Sequence, residues 1–206
     1  MSRSLRYTTC LIVGWSLAIT SLGAGAAPAS TSGGLITEPV DEHVLVTLHG
    51  NVRPEAINAN DRGPVADDLL LAHMQLKLLR SPQREQALQR LLEQIQTPGS
   101  PQFHHWLTPQ QLGEQFGPAS SDISKVTSWL SGHGFKVNAV PPSRMLIDFS
   151  GTARQVRAAF HTQIHHLLVN GEPHIGNMSE PQIPAALAPV IAGVVSLDDF
   201  RPRAMN

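Results

Sequence analysis

The stretch of sequence that decides the fold is RMLIDFSGTARQVRAAFHTQIHHLLV, residues 144–169. Its first part, RMLIDFS, and its last part, QIHHLLV, are short apolar-rich segments of the kind that form strands. Between them, Thr152 is followed three residues later by Gln155, a capping-box pattern, which predicts that a helix begins here. Val156 and Phe160 lie four residues apart, so they fall on one face of that helix and are expected to be buried. The stretch therefore predicts a strand, a short helix and a second strand in succession.

Patterns on both sides of this stretch extend the arrangement into a domain. Residues 51–68 are rich in turn-forming residues and are expected to form a loop. The other expected elements are a strand over 43–50, a strand over 72–79 for which a helix is also possible, a helix from Ser81-Pro82 to Pro98-Gly99, a short helix from Thr108 to Gly117, a helix from Ser120 or Ser121 to Gly132, a strand over 135–140, and a helical turn with a closing strand over 183–197. The later half thus predicts an α+β fold, with helices packed on a ferredoxin-like antiparallel sheet.

The N-terminal residues have the organisation of a signal peptide. Two arginines precede an apolar run that is short for a membrane span, and small residues follow it. We therefore expect residues 1–26 to be a signal peptide, cleaved between Ala26 and Ala27, and the chain to be exported to the periplasm or the exterior without further membrane attachment. Residues 27–42 are small and polar and are expected to be a flexible linker. Cys10 is the single cysteine, so the exported chain would contain neither a disulfide nor a thiolate nucleophile.

The composition fits one globular domain that does not bind nucleic acid. The chain has 206 residues, of which 41% are hydrophobic and 5% aromatic, and its formal net charge is −1. Such a charge gives no basic surface for a phosphate backbone. Ten histidines make the charge of the chain sensitive to pH between roughly 5 and 7.

Ser150, in the segment FSGTA, is the strongest candidate for a nucleophile. No G-x-S-x-G elbow surrounds it, and its place at a strand end before a capped helix accounts for it as a turn residue. No general base stands at a recognisable spacing from it, and no phosphate-binding loop or pair of facing carboxylates occurs elsewhere. A hydrolase remains an alternative with weak support.

The histidines suggest a metal site as a second alternative. A zinc ion requires three or four ligands that converge from fixed elements. His165 and His166 are adjacent in an expected strand, so their side chains point to opposite faces and cannot easily bind one ion. An exported metal-binding or ligand-binding α+β module is therefore kept as an alternative that rests on the histidines alone: His104, His105, His161, His165, His166 and His174.

Five blocks of the sequence carry a resemblance when they are taken together. In chain order they are HMQLKLLRSP, SPQFHHWLTPQQLGEQFGP, VTSWLSGHGFKV, IDFSGTARQVRAAFHTQIH and IPAALAPVIAGVVSLDDF. They resemble the activation domain, or pro-domain, of the sedolisin or kumamolisin-type serine-carboxyl peptidases, and they occur in that family's order. The resemblance implies a pro-domain over residues 43–203 and the start of a linker at residues 204–206.

The sequence departs from the family in one large respect. Members continue into a subtilisin-like peptidase domain with a catalytic Glu and Asp four residues apart, an oxyanion-hole Asp, a serine in S-G-T-S and a calcium site. In this sequence no Glu is followed four positions later by Asp, and Ser150 stands in SGTA. The resemblance therefore implies no catalytic residue and no cofactor here, with calcium expected only in the missing peptidase domain. The sequence would be either a truncated precursor or a free-standing pro-domain, with a sedolisin-type peptidase domain as its partner in cis or in trans.

The resemblance also implies a role. In such precursors the pro-domain packs its sheet on the peptidase, assists its folding and blocks its substrate cleft with a C-terminal tail until acid-triggered cleavage. An extended tail can occupy a protease cleft because its backbone pairs as a substrate does. The corresponding tail here would begin with Leu197, Asp198, Asp199, Phe200, Arg201, Pro202 and Arg203.

Acid release has a candidate mechanism in the histidines. Protonation below roughly pH 6 would add charge at the docking face and weaken the contact. The candidate pH sensors are His104, His105, His165 and His166. Protonation of interface carboxylates is an alternative that needs no histidine. Next to Trp106, the pair His104-His105 is expected to form a structural or interface corner rather than a catalytic site.

Overall fold

The computed structural model describes residues 33–200 of the chain. The expected signal peptide, its cleavage point at Ala26 and Ala27, the linker residues 27–32 and the tail residues 201–206 lie outside the described residues. The strands are β1 (Leu45–Thr47), β2 (Asp61–Pro64), β3 (Leu70–Leu78), β4 (Lys136–Ala139), β5 (Leu146–Thr152), β6 (Ile164–Val169), β7 (Glu172–Asn177), β8 (Gln182–Pro184) and β9 (Ile191–Val195). The helices are α1 (Pro82–Gln96), α2 (Pro109–Phe116), α3 (Ser120–Gly132) and α4 (Ala153–Phe160), with a 3-10 turn at Ala185–Leu187.

The stretch over residues 144–169 folds as its sequence predicts. It forms β5, α4 and β6. At the start of α4, the backbone N–H of Gln155 donates to the Thr152 hydroxyl, and the Gln155 side chain accepts from the Thr152 backbone N–H. Thr108 and Gln111 form the same capping box at the start of α2. These reciprocal bonds satisfy backbone donors that the first turn of a helix leaves without partners.

The central sheet has four antiparallel strands in the order β4-β5-β3-β9. Counted along the chain within this sheet, the order is the one produced by two split β-α-β units, as in ferredoxin-like folds. The α+β class is thus confirmed. Buried side chains of the sheet share one core with α3 and α4, and its central members are Met74, Leu76, Ile147, Phe149, Val126, Leu130, Val156 and Phe160.

Two smaller sheets complete the structure, and the three-stranded one contains two strands that the sequence did not predict. Strand β2 forms within the expected loop over 51–68, and β7 forms after the turn at Asn170-Gly171. Both pair with β6, in the order β2-β6-β7, while β1 pairs with β8. The expectation of a loop was wrong for β2 because its sequence, DRGP, contains Gly and Pro. Such residues are tolerated at the edge of a sheet, and pairing with a distant strand decides the outcome.

Residues 33–42, which the sequence assigns to a flexible linker, are instead fixed against α3. The backbone N–H groups of Leu35 and Ile36 donate to the carboxylate of Asp122, at 2.8 and 3.0 Å. Asp122 is 1% exposed, and the side chain of Ile36 is buried in the core. Further along, the indole N–H of Trp129 donates to Glu42 at 2.9 Å. This segment is therefore part of the folded domain.

Helices long and apolar enough to cross a membrane are absent from residues 33–200.

Candidate interaction surface

The face of the central sheet opposite α3 and α4 is accessible to solvent and carries mostly polar side chains. Its side chains alternate with the buried ones along each strand, because successive residues of a strand point to opposite faces. We call this surface the open face, and it consists of Leu70, His73, Gln75, Lys77, Lys136, Leu146, Asp148, Ser150 and Val195. Each of these residues is at least partly exposed.

A β-bulge in β3 places His73 on the open face. Leu71 pairs with Gly151 and Met74 with Phe149, so two residues of β3 stand opposite the single residue Ser150. His73 has a backbone φ of 57°, in the left-handed region. Its backbone N–H donates to the Ser150 hydroxyl at 3.0 Å, and its side chain is 73% exposed. The bulge therefore directs an imidazole outward from the middle of the sheet.

Four side chains form a hydrogen-bonded cluster around this bulge. The imidazole Nδ1 of His73 lies 3.0 Å from Oδ2 of Asp148. The side-chain amide of Asn138 donates to Asp148 at 2.9 Å and to the Ser150 hydroxyl at 2.7 Å. These bonds from Asn138, and then from His73, lower the pKa of the Asp148 carboxyl below its ordinary value. The carboxylate thus stays ionised in mild acid, beside the imidazole.

This cluster contains a serine, a histidine and an aspartate, yet it is not arranged as a catalytic triad. The Ser150 hydroxyl bonds to the backbone N–H of His73 and to Asn138, and the described contacts place no imidazole nitrogen on it. Nucleophilic catalysis requires the hydroxyl within reach of a base nitrogen. The cluster therefore fixes the position of His73 and does not activate Ser150.

Sequence reasoning missed His73, because its partners are distant along the chain. Asp148 and Ser150 lie 75 and 77 residues away from it. One local signal was available: in LLLAHMQLKL, the alternation of apolar and polar residues breaks at Ala72-His73. A break of this kind inside a strand pattern is typical of a bulge.

The first four residues of the expected tail are bound to the domain itself. Leu197 is buried in the core. The Asp199 carboxylate accepts from the backbone N–H of Ile175 at 3.0 Å and lies 3.1 Å from Nδ1 of His174. The phenyl ring of Phe200 stacks on the imidazole of His174, with 4.0 Å between the centroids. Arg201, Pro202 and Arg203 lie outside the described residues.

The anchor of Phe200 includes further charged groups. The guanidinium of Arg53 lies over the Phe200 ring, with its central carbon 4.9 Å from the centroid, and also pairs with Glu55. Asp198 accepts from the backbone N–H of Phe200 at 3.1 Å. Burial raises the pKa of the Asp198 carboxyl above its ordinary value. Phe200 is thus held in a fixed position on the domain.

The four histidines proposed as pH sensors do not form one site. His104 stacks on Phe103, with 3.7 Å between the ring centroids, and lies 6.0 Å from the ring of Trp106, which is 68% exposed. This corner precedes α2, and His105 is exposed within it. It forms a surface aromatic cluster, and its role as an interface corner stays a prediction.

The other two histidines lie on β6, in a different sheet. The Nδ1 atom of His165 lies 2.8 Å from Asp61, and its Nε2 atom lies 3.3 Å from Gln163. The backbone N–H of Gly63, and then His165, lower the pKa of the Asp61 carboxyl. The neighbouring His166 is exposed. Groups of three or more residues able to hold a metal ion are absent from the described part of the chain.

Comparisons with known proteins identify the family of this domain. The family model "Pro-kumamolisin, activation domain" matches residues 58–200. Sedolisin from Pseudomonas sp. (strain 101) is 31% identical over 91% of this chain and 30% of its own length. Xanthomonalisin from Xanthomonas sp. (strain T-22) is 32% identical over 93% of this chain and 24% of its own length. Kumamolisin from Bacillus sp. (strain MN-32) is 23% identical over 77% of this chain and 28% of its own length.

The chain therefore belongs to the pro-kumamolisin activation-domain family, as the resemblance of its sequence blocks indicates. It spans less than a third of the length of these relatives. The matched region is an activation domain and not a peptidase domain, so these residues supply no catalytic machinery.

Proposed function

We propose that this chain is the propeptide of an exported sedolisin-type serine peptidase, acting as a folding aid and as an inhibitor that acid releases. The observation that carries the proposal is the family match over residues 58–200, which covers the whole central sheet. The peptidase would be joined to the chain if the gene continues beyond it, or would be a separate protein if it does not.

Two features described above support a docking role. The open face presents a mixture of polar side chains and two exposed aliphatic ones, Leu70 and Val195, which suits a contact that forms and later separates. The anchored residues 197–200 lead directly into Arg201, so a tail continuing from them would start from a fixed place beside the sheet. A tail that follows in extended form would then be available to pair with a substrate cleft.

The place of action is part of the same proposal. A signal peptide over residues 1–26, cleaved between Ala26 and Ala27, would export the chain, and the acid-active partner would meet it outside the cytoplasm. Neither nucleic acid nor a membrane is proposed as a partner.

The proposal is tested by inhibition in trans. Residues 27–206 are mixed with the peptidase domains of sedolisin and of xanthomonalisin, and peptide cleavage is followed from pH 3 to pH 7. We expect inhibition near neutrality with an inhibition constant of about 1 µM or lower, which weakens at least about tenfold in acid. A folded chain that inhibits neither peptidase at any pH would contradict the proposal.

A matched pair of variants locates the docking surface. Val195 on the open face and Leu168 on β6 are both partly exposed aliphatic residues in strands, at 50% and 39%. Val195→Asp places an unpaired charge in the proposed contact and is expected to weaken inhibition by about tenfold or more. Leu168→Asp makes the same change on the other sheet and is expected to leave inhibition within about twofold of the unmodified chain. Equal effects of the two variants would argue against the open face.

A further inference from the structure

His73 occupies a backbone position that is uncommon for a residue with a side chain. A left-handed φ strains the Cβ atom, so glycine is the residue usually found there. His73 adopts a φ of 57° with an exposed side chain, so packing in the core does not account for the choice of residue. Strained residues that the surrounding structure holds in place concentrate at functional sites. The strained position of His73 therefore points to a function of its exposed side chain.

The contact with Asp148 determines which hydrogen bonds the imidazole can offer. Because Nδ1 lies 3.0 Å from a carboxylate oxygen, Nδ1 carries the proton in the neutral ring. Nε2 then bears the lone pair and can accept a hydrogen bond from outside the domain. When the ring is protonated, both nitrogens are donors and this acceptor is lost. Protonation thus reverses the hydrogen-bonding character of one exposed atom on the open face.

We propose that His73 is the acid-sensitive docking contact of this domain, whose neutral Nε2 accepts a hydrogen bond from an N–H or O–H donor on the partner peptidase. This inference rests on the proposed function. Protonation of His73 turns the acceptor into a donor that faces a donor, so the contact is lost and a positive charge is left in the interface. Burying such a mismatch costs far more than the loss of an exposed contact.

The charged groups around His73 favour this role. On its own strand, Lys77 is on the same face, and on β5 the carboxylate of Asp148 is in direct contact. On β4, Lys136 pairs in register with Ser150 on the same face. Strand β9 contributes only the uncharged Val195 beside Gln75. The open face therefore holds two lysines and one carboxylate, and a protonated His73 would add a third positive charge to it.

The other histidines are less suited to this function. His165 has both ring nitrogens engaged, by Asp61 and by Gln163, and His174 is bonded to Asp199 and stacked on Phe200. The remaining seven lie outside the open face: His43, His49, His104, His105, His133, His161 and His166. Among the ring nitrogens of residues 33–200, Nε2 of His73 combines exposure on the open face with a fixed tautomer.

The test measures inhibition constants of residues 27–206 against sedolisin and xanthomonalisin peptidase domains from pH 5 to pH 7.5. For the unmodified chain, a contact that requires neutral His73 gives an inhibition constant that rises about tenfold for each unit of pH below the titration of the ring. His73→Gln, whose side-chain amide both donates and accepts, is expected to retain inhibition at pH 7 within about fivefold and to lose this dependence on pH.

Two further variants separate the proposal from a structural effect. His165→Gln makes the same change in the corresponding His–Asp pair of the other sheet, and it is expected to keep the dependence of the unmodified chain. Asp148→Asn removes the carboxylate that holds the proton on Nδ1, so Nε2 is no longer fixed as the acceptor and inhibition at pH 7 is expected to weaken by about threefold or more. Retention of the full dependence on pH by His73→Gln would overturn the proposal while leaving the proposed function intact. An unmodified chain that inhibits at no pH would instead overturn the proposed function.

If His73→Gln fails to fold, the unmodified chain still decides the question. The imidazole of His73 is followed by NMR with and without the peptidase domain. Because the complex would accept only the neutral ring, its titration is expected to move to lower pH on binding. An unchanged titration would overturn the role of His73.

Discussion

Asp122 illustrates how a single buried carboxylate can determine the course of a segment. It lies in the first turn of α3, where the positive end of the helix dipole favours a negative charge. From there it accepts from the backbone N–H groups of Leu35 and Ile36, which brings residues 33–42 onto the core. Asp122 thus holds this segment together with the buried side chain of Ile36, although it is 87 residues away from Leu35.

Replacing this carboxylate should release the segment. Asp122→Ala leaves two backbone donors without partners, and we expect the free energy of unfolding to fall by about 2–4 kcal/mol. The amide protons of Leu35 and Ile36 should exchange with solvent much faster, which NMR measures directly. Asp41→Ala removes an exposed carboxylate that accepts from His43 and is expected to change stability by less than about 0.5 kcal/mol. Unchanged exchange in Asp122→Ala would show that other contacts hold the segment.

At the scale of elements, the helices were predictable because their signals are local. Ser81, Thr108 and Thr152 each precede a helix and accept from its first turn, and Pro follows the first two. The strands β2 and β7 were missed because their sequences, DRGP and EPHIGN, do not alternate and form only through pairing with β6. The same reason explains why the candidate site was predicted only in part. The family resemblance was visible in the sequence, whereas the contact between His73 and Asp148 required the fold.

The capping box of α4 gives a prediction at this scale. Thr152→Ala removes the acceptor for the Gln155 N–H and loosens the reciprocal bond, so the free energy of unfolding should fall by about 1 kcal/mol. Urea denaturation measures the change. As a control, Thr97→Ala alters an exposed threonine at the C-terminal end of α1, where no first-turn N–H depends on it, and should change stability by less than about 0.5 kcal/mol. Equal losses would indicate that the capping box contributes little.

At the scale of the whole molecule, the ionised carboxylates favour the folded state at neutral pH. Hydrogen bonds and ion pairs lower the pKa values of five carboxyl groups. In each case a hydrogen bond to the carboxylate is the main cause. Glu55 accepts from its own backbone N–H and from Arg53, Asp61 from the backbone N–H of Gly63, Asp67 from Arg157, Glu85 from Gln89, and Asp148 from Asn138. Asp198 is the opposite case, because burial raises its pKa. The lowered groups outnumber the raised one.

The stability of the free domain should therefore decrease in acid. A carboxyl group with a lowered pKa in the folded state stabilises the fold above its unfolded pKa of about 4, and this stabilisation is lost as pH falls through the folded value. Asp198 contributes in the reverse direction, since its protonation favours the folded state. We expect the midpoint of urea unfolding to be constant from pH 7 to about 5 and to fall steadily below about 4. A midpoint that rises between pH 4 and pH 3 would show that Asp198 dominates.

The anchor of Phe200 has a consequence for distances beyond the sheet. Because this residue is fixed by His174 and Arg53, every later residue can be counted from a defined origin on the domain. Each one adds at most about 3.5 Å of reach. Its side chain also points to the opposite side from the one before it wherever the chain is extended. Inserting a single residue after Phe200 would thus shift each following side chain by one position and exchange the two sides, so spacing as well as composition would decide which residue meets a given subsite.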